Sequence, residues 1–382
     1  MHEAVRQYVR ASLPSTYGEV IDVGSLDING GVRDLLDPSA KYIGVDAQEG
    51  AGVDVVADFT TYTHSTPVDL ILCLEVLEHT PKWREIVAAA ARNLRPGGTL
   101  ILTCATTGRY PHSAKSEAPM EPGEYYANVT RDDLADELGR HFGFNAPEVA
   151  GTDLRATAYI PYPWTVVVPS RSDSKIRELV GNLVYAQPEI RPDQIVIVSD
   201  GLSLRTRWHL RDVTIVKGRR PFVYPRAINM GADAVDADSD ILILGDDVRL
   251  LNPGAVDRLS CLSTGMSAIA PAVIGLCGQP AQRAGSGHPV ADWLAFICAY
   301  IPRAAWDAVG PLDERFIGYG YDDMDWCLRA KDFGPFAIDH GLTVTHTHTS
   351  DYRSRPGWEK LYEANLDRFR EKWGDAGIGA YE

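Results

Sequence analysis

The sequence predicts an α/β protein of two domains, each built around a mainly parallel β-sheet. Two series of short apolar segments indicate the sheets, because little alternation of apolar and polar residues is typical of strands covered on both faces. A proline-bearing stretch separates the two series. The 382 residues suffice for two cores of normal size. We therefore expect domains at residues 1–161 and 162–382.

The first series contains predicted strands and one clear helix. The strands, in chain order, are EVIDVG, YIGVDA, DVVADF, DLILCLEV and TLILTC. Between the last two, TPKWREIVAAAARNLRPGG carries apolar residues at helical spacing. Thr80 can cap this helix, Pro81 suits its first position, and the RPGG segment ends it. Strand, helix and strand in this order predict a parallel sheet.

The second series begins after a predicted loop. The segment APEVAGTDLRATAYIPYPW is expected to join the two domains without regular structure. The strands that follow it are WTVVVPSR, QIVIVSDG, VTIVKG and DILILGDD. Polar residues at the ends of these strands are expected to meet at the carboxyl edge of a second sheet.

Composition argues against some classes of function. The net charge of -15 argues against nucleic acid as a partner, because phosphate binding needs a basic surface, but it does not exclude nucleotides. The N-terminus shows no apolar leader, and the longest apolar stretch, WLAFICAYIP, is too short to span a bilayer. Cys73, Cys104 and Cys298 lie in apolar runs, which indicates reduced core thiols and a cytoplasmic protein. Nothing in the sequence indicates an oligomeric state.

The first domain places acidic residues at the ends of successive predicted strands. In VIDVGSLDINGG, Asp22 ends a strand and Gly24 opens a turn, and a helix starting after it would favour polar groups. Asp46 follows about 20 residues later, the usual place of an acid that binds ribose hydroxyls. Asp58 and Glu75 follow the next two strands. Carboxylates gathered at one edge are costly without a polar ligand, so we expect one there.

Together with LEVLEH and RNLRPGGTLILT, these residues resemble class I methyltransferases that use S-adenosylmethionine, over most of residues 15–150. The resemblance implies a Rossmann-like fold and S-adenosylmethionine as the cofactor. The contacts that it implies are Asp22 and Gly24 at the methionine part, Asp46 at the ribose, Asp58 and Phe59 at the adenine, and Glu75 near the sulfonium.

The first domain departs from the usual pattern in its glycine turn. The usual G-x-G is broken, because Ser25 and Leu26 follow the first glycine. An alternative interpretation is therefore a ligand-free Rossmann-like domain kept for packing or docking. His79 and His112 are candidate bases for methyl transfer, each with a purely structural role as the alternative. The segment from GRYPHSA to EYYANVT is expected to form an acceptor loop or lid.

The second domain places two adjacent carboxylates after a buried strand. In ILILGDDVRLLNP, Asp246 and Asp247 follow four apolar residues and a glycine. Adjacent like charges repel each other, and a divalent cation would cancel the repulsion. A carboxylate at this edge can also accept hydrogen bonds from a nucleoside. The other residues expected at the same edge are Pro169, Ser170, Arg171 and Asp200.

Two further clusters follow in the second domain. The segment GPLDERFIGYGYDDMDWCLRAK places Asp322, Asp323 and Asp325 beside glycines at a predicted loop-to-helix junction. Clustered carboxylates raise the pKa of at least one member, which suits a general base. In LTVTHTHT, His346 and His348 would share one face of a strand, where they either complete a metal site or form a solvated face.

From about Trp164 to Trp373, these features resemble inverting family-2 glycosyltransferases of the GT-A fold, most specifically in FICAYIPRAAWDAVGPLDERF. The resemblance implies a nucleotide-sugar donor, an acceptor hydroxyl, and bound Mn²⁺ or Mg²⁺. The implied roles are Asp323 as catalytic base, Asp322 as acceptor contact, Asp247 with His346 or His348 as metal ligands, Asp246 as ribose or metal contact, Pro169, Ser170, Arg171 and Asp200 as donor contacts, and Arg226 and Asn229 beside the diphosphate or supporting their loop. Asp322 stands where the family usually has glutamate.

The chain as a whole is predicted to be a bifunctional enzyme. One domain methylates and the other transfers a sugar, and their fusion suggests a common glycan as acceptor. One alternative is a glycosyltransferase with a non-catalytic methyltransferase-like binding or assembly module. Another alternative is a protein or nucleic acid acceptor in place of a glycan. Trp293, Trp306 and Trp326 either stack on sugars or belong to the core.

Overall fold

The computed structural model describes residues 2–14, 16–114, 119–144, 146–187, 190–201, 213–318, 320–347 and 356–374. The chain forms two compact units, Met1–Pro161 and Tyr162–Glu382. Each unit has a β-sheet and a hydrophobic core of its own.

The first unit is a sheet with helices on both faces. Its strands are β1 (Glu19–Val23), β2 (Lys41–Asp46), β3 (Val55–Val56), β4 (Val68–Leu74), β5 (Leu94–Ala105), β6 (Gly143–Phe144), β7 (Glu148–Ala150) and β8 (Asp153–Tyr159). Its helices are α1 (Glu3–Ser12), α2 (Trp83–Asn93) and α3 (Arg131–Leu138). The strand order is β3-β2-β1-β4-β5-β8-β6, with β7 beside β8. Strands β1 to β5 are parallel, and β8 pairs antiparallel with β5, β6 and β7.

Neighbouring residues of the parallel strands belong to different cores. Val20 of β1 and Leu70 of β4 pack in one cluster with Val5 of α1. Ile21 and Ile71, the next residues along, pack in the other cluster with side chains of α2 and α3. Because successive side chains point to opposite faces, covering both faces requires continuous apolar runs. The five strands predicted from such runs are confirmed.

The prediction that residues 146–164 form a loop without regular structure is wrong, because this segment contains β7 and β8. Leu154, Ala156 and Ala158 of β8 alternate with polar residues and bury one face against the core of the first unit. The strand was not predicted from the sequence, because its core positions are mostly small alanines and charged residues stand between them. The antiparallel pairing of β8 with β5 covers what would otherwise be an edge strand.

Two local predictions for the first unit are also wrong. Helix α2 begins at Trp83, and Thr80 instead ends a 3₁₀ turn at Leu77–His79, with its Oγ1 accepting a hydrogen bond from the backbone nitrogen of Lys82. Between β1 and β2 the chain forms only a 3₁₀ turn, Arg33–Leu35, where a helix was expected. A helix dipole therefore does not contribute to the turn after β1.

The second unit contains a mixed sheet. Its strands are β9 (Trp164–Ser170), β10 (Ile195–Ser199), β11 (Thr214–Lys217), β12 (Asp240–Leu244), β13 (Val248–Leu250), β14 (Ala268–Gly275), β15 (Val290–Ala291), β16 (Cys298–Ile301) and β17 (Phe336–His346). Its helices are α4 (Asp173–Ala186), α5 (Tyr224–Ala232), α6 (Ala255–Leu262), α7 (Arg303–Val309), α8 (Asp322–Ala330) and α9 (Trp358–Trp373). The strand order is β11-β10-β9-β12-β16-β14-β17-β13, with β15 beside β17.

The four predicted strands of the second unit, β9 to β12, are confirmed and run parallel. Strand β16 lies antiparallel between β12 and β14. Trp293, Trp306 and Trp326 are buried, and the rings of the last two stack with centroids 6.2 Å apart. Of the two roles predicted for these tryptophans, sugar stacking or the core, burial assigns all three to the core.

Cysteine usage agrees with the prediction of reduced thiols. Cys73, Cys104 and Cys298 are buried and unpaired. None of the helices among the described residues has the length and apolarity that crossing a bilayer requires.

Two helical glycines of the second unit differ in the space around them, and we expect their replacement by alanine to have opposite effects. A β-carbon at Gly231 of α5 would lie 2.3 Å from Cγ1 of Val167, whereas a β-carbon at Gly181 of α4 would meet nothing within 4 Å. The helix-propensity gain of ~1 kcal/mol therefore stabilises Gly181→Ala, while overpacking of ~1–3 kcal/mol outweighs it in Gly231→Ala.

Urea unfolding followed by tryptophan fluorescence measures both variants. The signal reports mainly on the second unit, because all tryptophans except Trp83 lie beyond residue 161. Equal unfolding midpoints for the two variants would contradict the packing of α5 on β9.

Candidate functional sites

In the first unit the strand order reverses between β1 and β4, so a ligand crevice is expected outside the carboxyl ends of these strands. Gly24 follows β1 with φ of 73°, in the left-handed region that favours glycine. A β-carbon on Gly24 would lie 2.4 Å from Cγ2 of Val76, in the segment after β4. Gly24 therefore permits both the turn and its close approach to that segment.

Asp22 lies within β1, and its side chain is almost completely buried. Its Oδ2 accepts a hydrogen bond of 2.6 Å from the hydroxyl of Tyr42. Burial raises the pKa of Asp22 to about 6, and the charge of Asp46 acts in the same direction. At pH 7 the carboxylate is therefore ionised at a cost in stability, which a hydrogen-bond donor in the crevice would reduce.

Asp46 connects the turn after β2 to the turn after β1. One carboxylate oxygen accepts a hydrogen bond of 3.2 Å from the backbone nitrogen of Leu26, and the other accepts one of 2.9 Å from Gln48. Leu26 stands in the interrupted glycine motif, so the interaction with Asp46 supports the altered turn. The predicted ribose-binding residue is thus at the expected edge of the sheet.

Asp58 and Phe59 follow β3, but their side chains have different surroundings. Asp58 is half-exposed and accepts hydrogen bonds of 2.6 and 3.0 Å from the hydroxyl and the backbone nitrogen of Thr60. These bonds hold its pKa below the usual value. The Phe59 ring is buried and stacks on Tyr62 with centroids 6.0 Å apart. Asp58 is therefore the accessible member of the predicted adenine pair.

Glu75 follows β4 in a strained conformation. Its φ of 58° is in the left-handed region, which only Tyr321 shares among the described non-glycine residues. Its Oε1 accepts a hydrogen bond of 2.8 Å from Oγ1 of Thr103. Burial raises the pKa of Glu75, although the Thr103 interaction lowers it. Strain of this kind is typical of functional positions.

Four further residues of the first unit, His79, His112, Tyr126 and Glu78, lie close to one another. The rings of His79 and His112 stand edge to face with centroids 5.0 Å apart, and Tyr126 contacts both rings. Glu78 precedes His79 and is fully buried. Burial raises the pKa of Glu78 to about 8 and lowers that of His79 to about 4. The two histidines are expected from the sequence, whereas the places of Glu78 and Tyr126 in this cluster are not.

In the second unit the strand order reverses between β9 and β12. Ser170 ends β9, and its Oγ donates a hydrogen bond of 2.6 Å to Oδ2 of Asp246, just beyond β12. Pro169 precedes it in the buried strand. The structure thus brings Ser170 and Asp246 together at one edge, as the sequence predicts.

Lys175 is a residue of this site that the sequence analysis missed. Its Nζ lies 3.5 Å from Oδ1 of Asp246 and 3.5 Å from Oδ2 of Asp247. Ser172 caps α4 by accepting a hydrogen bond of 3.4 Å from the backbone nitrogen of Lys175. The cap fixes the first turn of the helix and places the lysine at the aspartate pair. The capping serine is visible in the sequence, but the approach of Lys175 to the aspartates depends on how α4 follows β9.

His346 completes the surroundings of Asp247. Its Nε2 lies 3.5 Å from Oδ1 of Asp247, and its Nδ1 donates a hydrogen bond of 2.6 Å to the carbonyl of Leu276. Burial opposes ionisation, yet the contact with His346 holds the pKa of Asp247 below its usual value. Two carboxylates and one oriented imidazole form a donor set that fits Mn²⁺. His348 lies outside the described residues.

Asp322 and Asp323 begin α8, directly after the strained Tyr321. Asp323 accepts hydrogen bonds from two backbone nitrogens, of Met324 at 2.9 Å and of Phe296 at 3.4 Å. Burial raises the pKa of Asp323 to about 6 and that of Asp322 well above its usual value. Asp323 is therefore ionised at pH 7 and able to accept a proton.

Tyr224 connects the two pairs of carboxylates. Burial and the charges of the Asp322–Asp323 and Asp246–Asp247 pairs raise the pKa of its hydroxyl well above the usual value. The hydroxyl donates a hydrogen bond of 3.0 Å to the carbonyl of Phe296, whose nitrogen binds Asp323. The next carbonyl accepts a hydrogen bond of 2.9 Å from the backbone of Gly245. One short segment thus joins both acidic pairs.

Asp325 has a structural role. It is fully buried, and its carboxylate lies 2.6 Å from Nζ of Lys372 and 3.2 Å from Nε of Arg329. The indole nitrogen of Trp373 donates a further hydrogen bond of 2.9 Å. These interactions attach α8 to α9 and leave Asp325 unsuited to proton transfer.

Arg226 and Asn229 of α5 support a neighbouring loop. The side-chain amide of Asn229 exchanges two hydrogen bonds of 2.9 Å with the backbone of Leu312. Nε of Arg226 lies 3.2 Å from Oε2 of Glu314. These contacts hold the loop at Leu312 and Glu314, and a position of both residues beside the donor diphosphate stays a prediction.

Asp200 lies at the edge where a nucleoside contact is expected. Its Oδ1 is 3.5 Å from Nε of Arg220, and it lines a shallow cleft together with Phe222 and Arg226. The guanidinium of Arg171 lies 5.1 Å from the centre of the Phe222 ring. The structure thus gathers three of the predicted donor contacts around Phe222.

Comparison with known proteins identifies a domain in the first unit. Residues 3–149 match a family model described as a methyltransferase domain. A curated relative, the uncharacterized protein y4gI of Sinorhizobium fredii, is 23% identical over 316 residues, which are 69% of this chain and 33% of the relative. The chain thus spans about a third of the length of that relative. The methyltransferase resemblance is confirmed at the level of this domain.

Solved structures with similarity to parts of the chain include two different kinds of enzyme. The 1,6-didemethyltoxoflavin-N1-methyltransferase of Burkholderia thailandensis is 18% identical, with 41% of this chain and 77% of that chain covered and a TM-score of 0.34. GalNAc-T7, solved with UDP, GalNAc and Mn²⁺, is 12% identical, with 55% and 50% covered and a TM-score of 0.42. The GT-A assignment of the second unit stays a prediction.

The buried carboxylate of Asp22 yields a prediction about pH and stability. The pKa of Asp22 is about 6 in the folded state, above the usual 3.8. Below pH 3.8 the carboxyl group is protonated in both the folded and the unfolded state, and its burial costs no charge. As the pH rises through 6, Asp22 ionises in the folded state and lowers the free energy of unfolding. We expect Asp22→Asn to increase the free energy of unfolding at pH 8 by about 1–3 kcal/mol, since the amide still accepts the Tyr42 hydrogen bond and carries no charge.

The measurement is urea unfolding followed by circular dichroism at pH 4 and pH 8. The difference between variant and wild type should shrink toward pH 4, where Asp22 is mostly protonated in the folded state. A difference that is equal at both pH values would show that Asp22 is not destabilised by burial.

Proposed function

We propose that the first unit transfers a methyl group from S-adenosylmethionine to an acceptor. The match of residues 3–149 to a methyltransferase domain is the observation that carries this proposal. The crevice between β1 and β4, with Gly24 on one side and Glu75 on the other, is where the cofactor would bind.

The proposed reaction needs alignment and a proton acceptor. A lone pair of the acceptor attacks the methyl carbon, the electrons of the carbon–sulfur bond stay on sulfur, and S-adenosylhomocysteine is released. The acceptor proton passes to a base. His79 suits this step, because burial keeps its imidazole neutral at pH 7 and its Nδ1 has no hydrogen-bond partner among the described residues.

A second function, sugar transfer by the second unit, is supported by the position of the acidic pairs around Tyr224. In this proposal Asp323 removes the proton of an acceptor hydroxyl as the oxygen attacks the anomeric carbon, and the nucleoside diphosphate leaves with the bonding electrons. Asp246, Asp247 and His346 would hold the metal ion. The ion would stabilise the charge that develops on the leaving diphosphate.

The two proposals together describe a bifunctional enzyme, with a glycan hydroxyl as the proposed common acceptor. The competing proposal is a glycosyltransferase with a non-catalytic methyltransferase-like module. Absence of S-adenosylmethionine binding in calorimetry would favour the module, whereas binding together with methyl turnover would exclude it. Methyl groups found only on material unrelated to the sugar product would separate the two activities.

The first test measures cofactor binding by calorimetry in Gly24→Ala, with Gly31→Ala as the matched control. A β-carbon on Gly24 clashes with Val76 in a left-handed turn, whereas one on Gly31 meets nothing within 4 Å. We expect the affinity for S-adenosylmethionine to fall about 10- to 100-fold in Gly24→Ala. The control should retain the affinity of the wild type. Equal affinities in both variants would place the cofactor elsewhere.

The second test concerns Asp323. A screen of nucleoside diphosphate sugars with Mn²⁺ first identifies a donor by binding or hydrolysis. We then expect Asp323→Asn to slow sugar transfer by about 10²- to 10⁴-fold with donor affinity unchanged, because only the base is lost. Asp332→Asn, in an exposed turn after α8, is the control.

The wild-type transfer rate should also fall as the pH is lowered through about 6, where Asp323 becomes protonated. A pH profile of the wild type measures this decline. Transfer at the wild-type rate by Asp323→Asn, or a flat profile between pH 5 and 7, would refute the role of this residue as the base.

A further inference from the structure

A group of candidate metal ligands in the first unit has no role in the binding of S-adenosylmethionine described above. One oxygen of Glu78 and one ring nitrogen each of His79 and His112 lie within 4.8 Å of one another. Glu78 and His79 belong to the 3₁₀ turn after β4, and His112 belongs to the segment after β5. Two loops at the carboxyl edge of the sheet thus contribute to one cluster.

Buried polar atoms without partners are concentrated in this cluster. Glu78 is fully buried, and its Oε1 accepts a hydrogen bond of 3.1 Å from the backbone of Ala105. Its Oε2, Nδ1 of His79 and the hydroxyl of Tyr126 have no hydrogen-bond partner among the residues that the structure describes. Each such atom costs ~1–3 kcal/mol, so three within one set of contacting side chains indicate a missing ligand.

The contacts of His112 leave a nitrogen available for a metal ion. Its Nδ1 lies 3.2 Å from the carbonyl oxygen of Tyr110, which can only accept a hydrogen bond. The proton therefore resides on Nδ1, and Nε2 carries the free lone pair. A backbone carbonyl that orients a histidine through its other nitrogen is the usual partner of a metal-binding imidazole.

The charges around the cluster favour a cation. The carboxylates of Glu75 and Glu124 act on Glu78 and on His79, respectively. Arg109 opposes them through its effect on Glu78. Two carboxylates and one guanidinium thus act on the cluster from outside.

We propose that Glu78, His79 and His112 bind a divalent transition-metal ion. One carboxylate and two imidazoles suit Zn²⁺, Mn²⁺, Fe²⁺ or Co²⁺, and three protein ligands leave coordination positions open. Two ligands at ~2.1 Å from one ion are at most ~4.2 Å apart, and the candidate ligand atoms all lie within 4.8 Å of one another, so a small movement suffices for binding.

The open positions would receive an oxygen of the methyl acceptor. The ion would orient that oxygen and lower the pKa of its hydroxyl, so the acceptor class is an oxygen nucleophile. With the ion bound, the ring nitrogen of His79 is a ligand, and activation of the acceptor by the ion takes the place of proton removal by His79. Metal binding follows from the contacts of the first unit alone. The use of the ion to hold the acceptor rests on the proposed methyltransferase function.

Titration of the metal-free full chain with Co²⁺ tests the site, because the visible spectrum of the ion reports its ligands. The background variant is Asp247→Ala, which removes a proposed metal ligand of the second unit. In this background we expect one equivalent of Co²⁺ to bind. His112→Gln and His79→Gln should weaken this binding by about 100-fold or more. His141→Gln is the matched control, since His141 pairs with Glu137 in the same unit and should leave binding unchanged.

Two outcomes would overturn the site: no bound Co²⁺ in the Asp247→Ala background, or undiminished affinity in His112→Gln. Thermal unfolding of each variant shows whether the fold is kept, and Glu78→Gln, which retains the acceptor for Ala105, is the substitute if a histidine variant unfolds. Calorimetry with S-adenosylmethionine on the same samples separates the proposals. Loss of cofactor binding with an intact Co²⁺ site would refute only the proposed methyl transfer.

Discussion

The contact of Lys175 with Asp246 and Asp247 is the interaction on which the candidate site of the second unit depends. Both aspartate side chains are less than one-fifth exposed, at 18% and 19%. Adjacent carboxylates that are largely removed from solvent repel each other, so the pair needs a cation. Lys175 and His346 offset this repulsion within the chain. A divalent ion bound to the same oxygens would repel the lysine, so Lys175 weakens metal binding unless its side chain moves.

Both units place strained backbone directly before their candidate catalytic residues. Glu75 precedes the turn that carries Glu78 and His79, and Tyr321 precedes Asp322. A non-glycine residue in the left-handed region costs ~1–3 kcal/mol, and this cost persists only where surrounding contacts enforce the conformation. The hydrogen bond from Thr103 to Glu75 is one such contact. In both units a strained residue thus precedes the side chains that lie at the carboxyl edge of the sheet.

The sequence allowed prediction of β1 to β5 and β9 to β12, most of which are continuous apolar runs with two buried faces. Strands β14 and β16 are buried apolar runs of the same kind that were not predicted. It failed at β8, where small alanines replace branched residues and only Leu154 resembles a core position. Prediction from the sequence also failed where the partner of a site residue comes from a distant part of the chain. The charge on Asp246 was visible in the sequence, but the position of Lys175 depends on the direction in which α4 leaves β9. The pairing of Glu78 with His112 likewise depends on how two loops meet.

The difference between Asp325 and Glu78 shows how structure separates supporting from functional carboxylates. Both are completely buried, and both lie beside candidate catalytic residues. Asp325 is fully satisfied by Lys372, Arg329 and an indole nitrogen, so its charge is balanced within the fold. Glu78 has one satisfied oxygen and one without a partner among the described residues. Burying a carboxylate with unused hydrogen-bonding capacity lowers stability, so its retention beside two histidines is best explained by an ion that supplies the missing interaction.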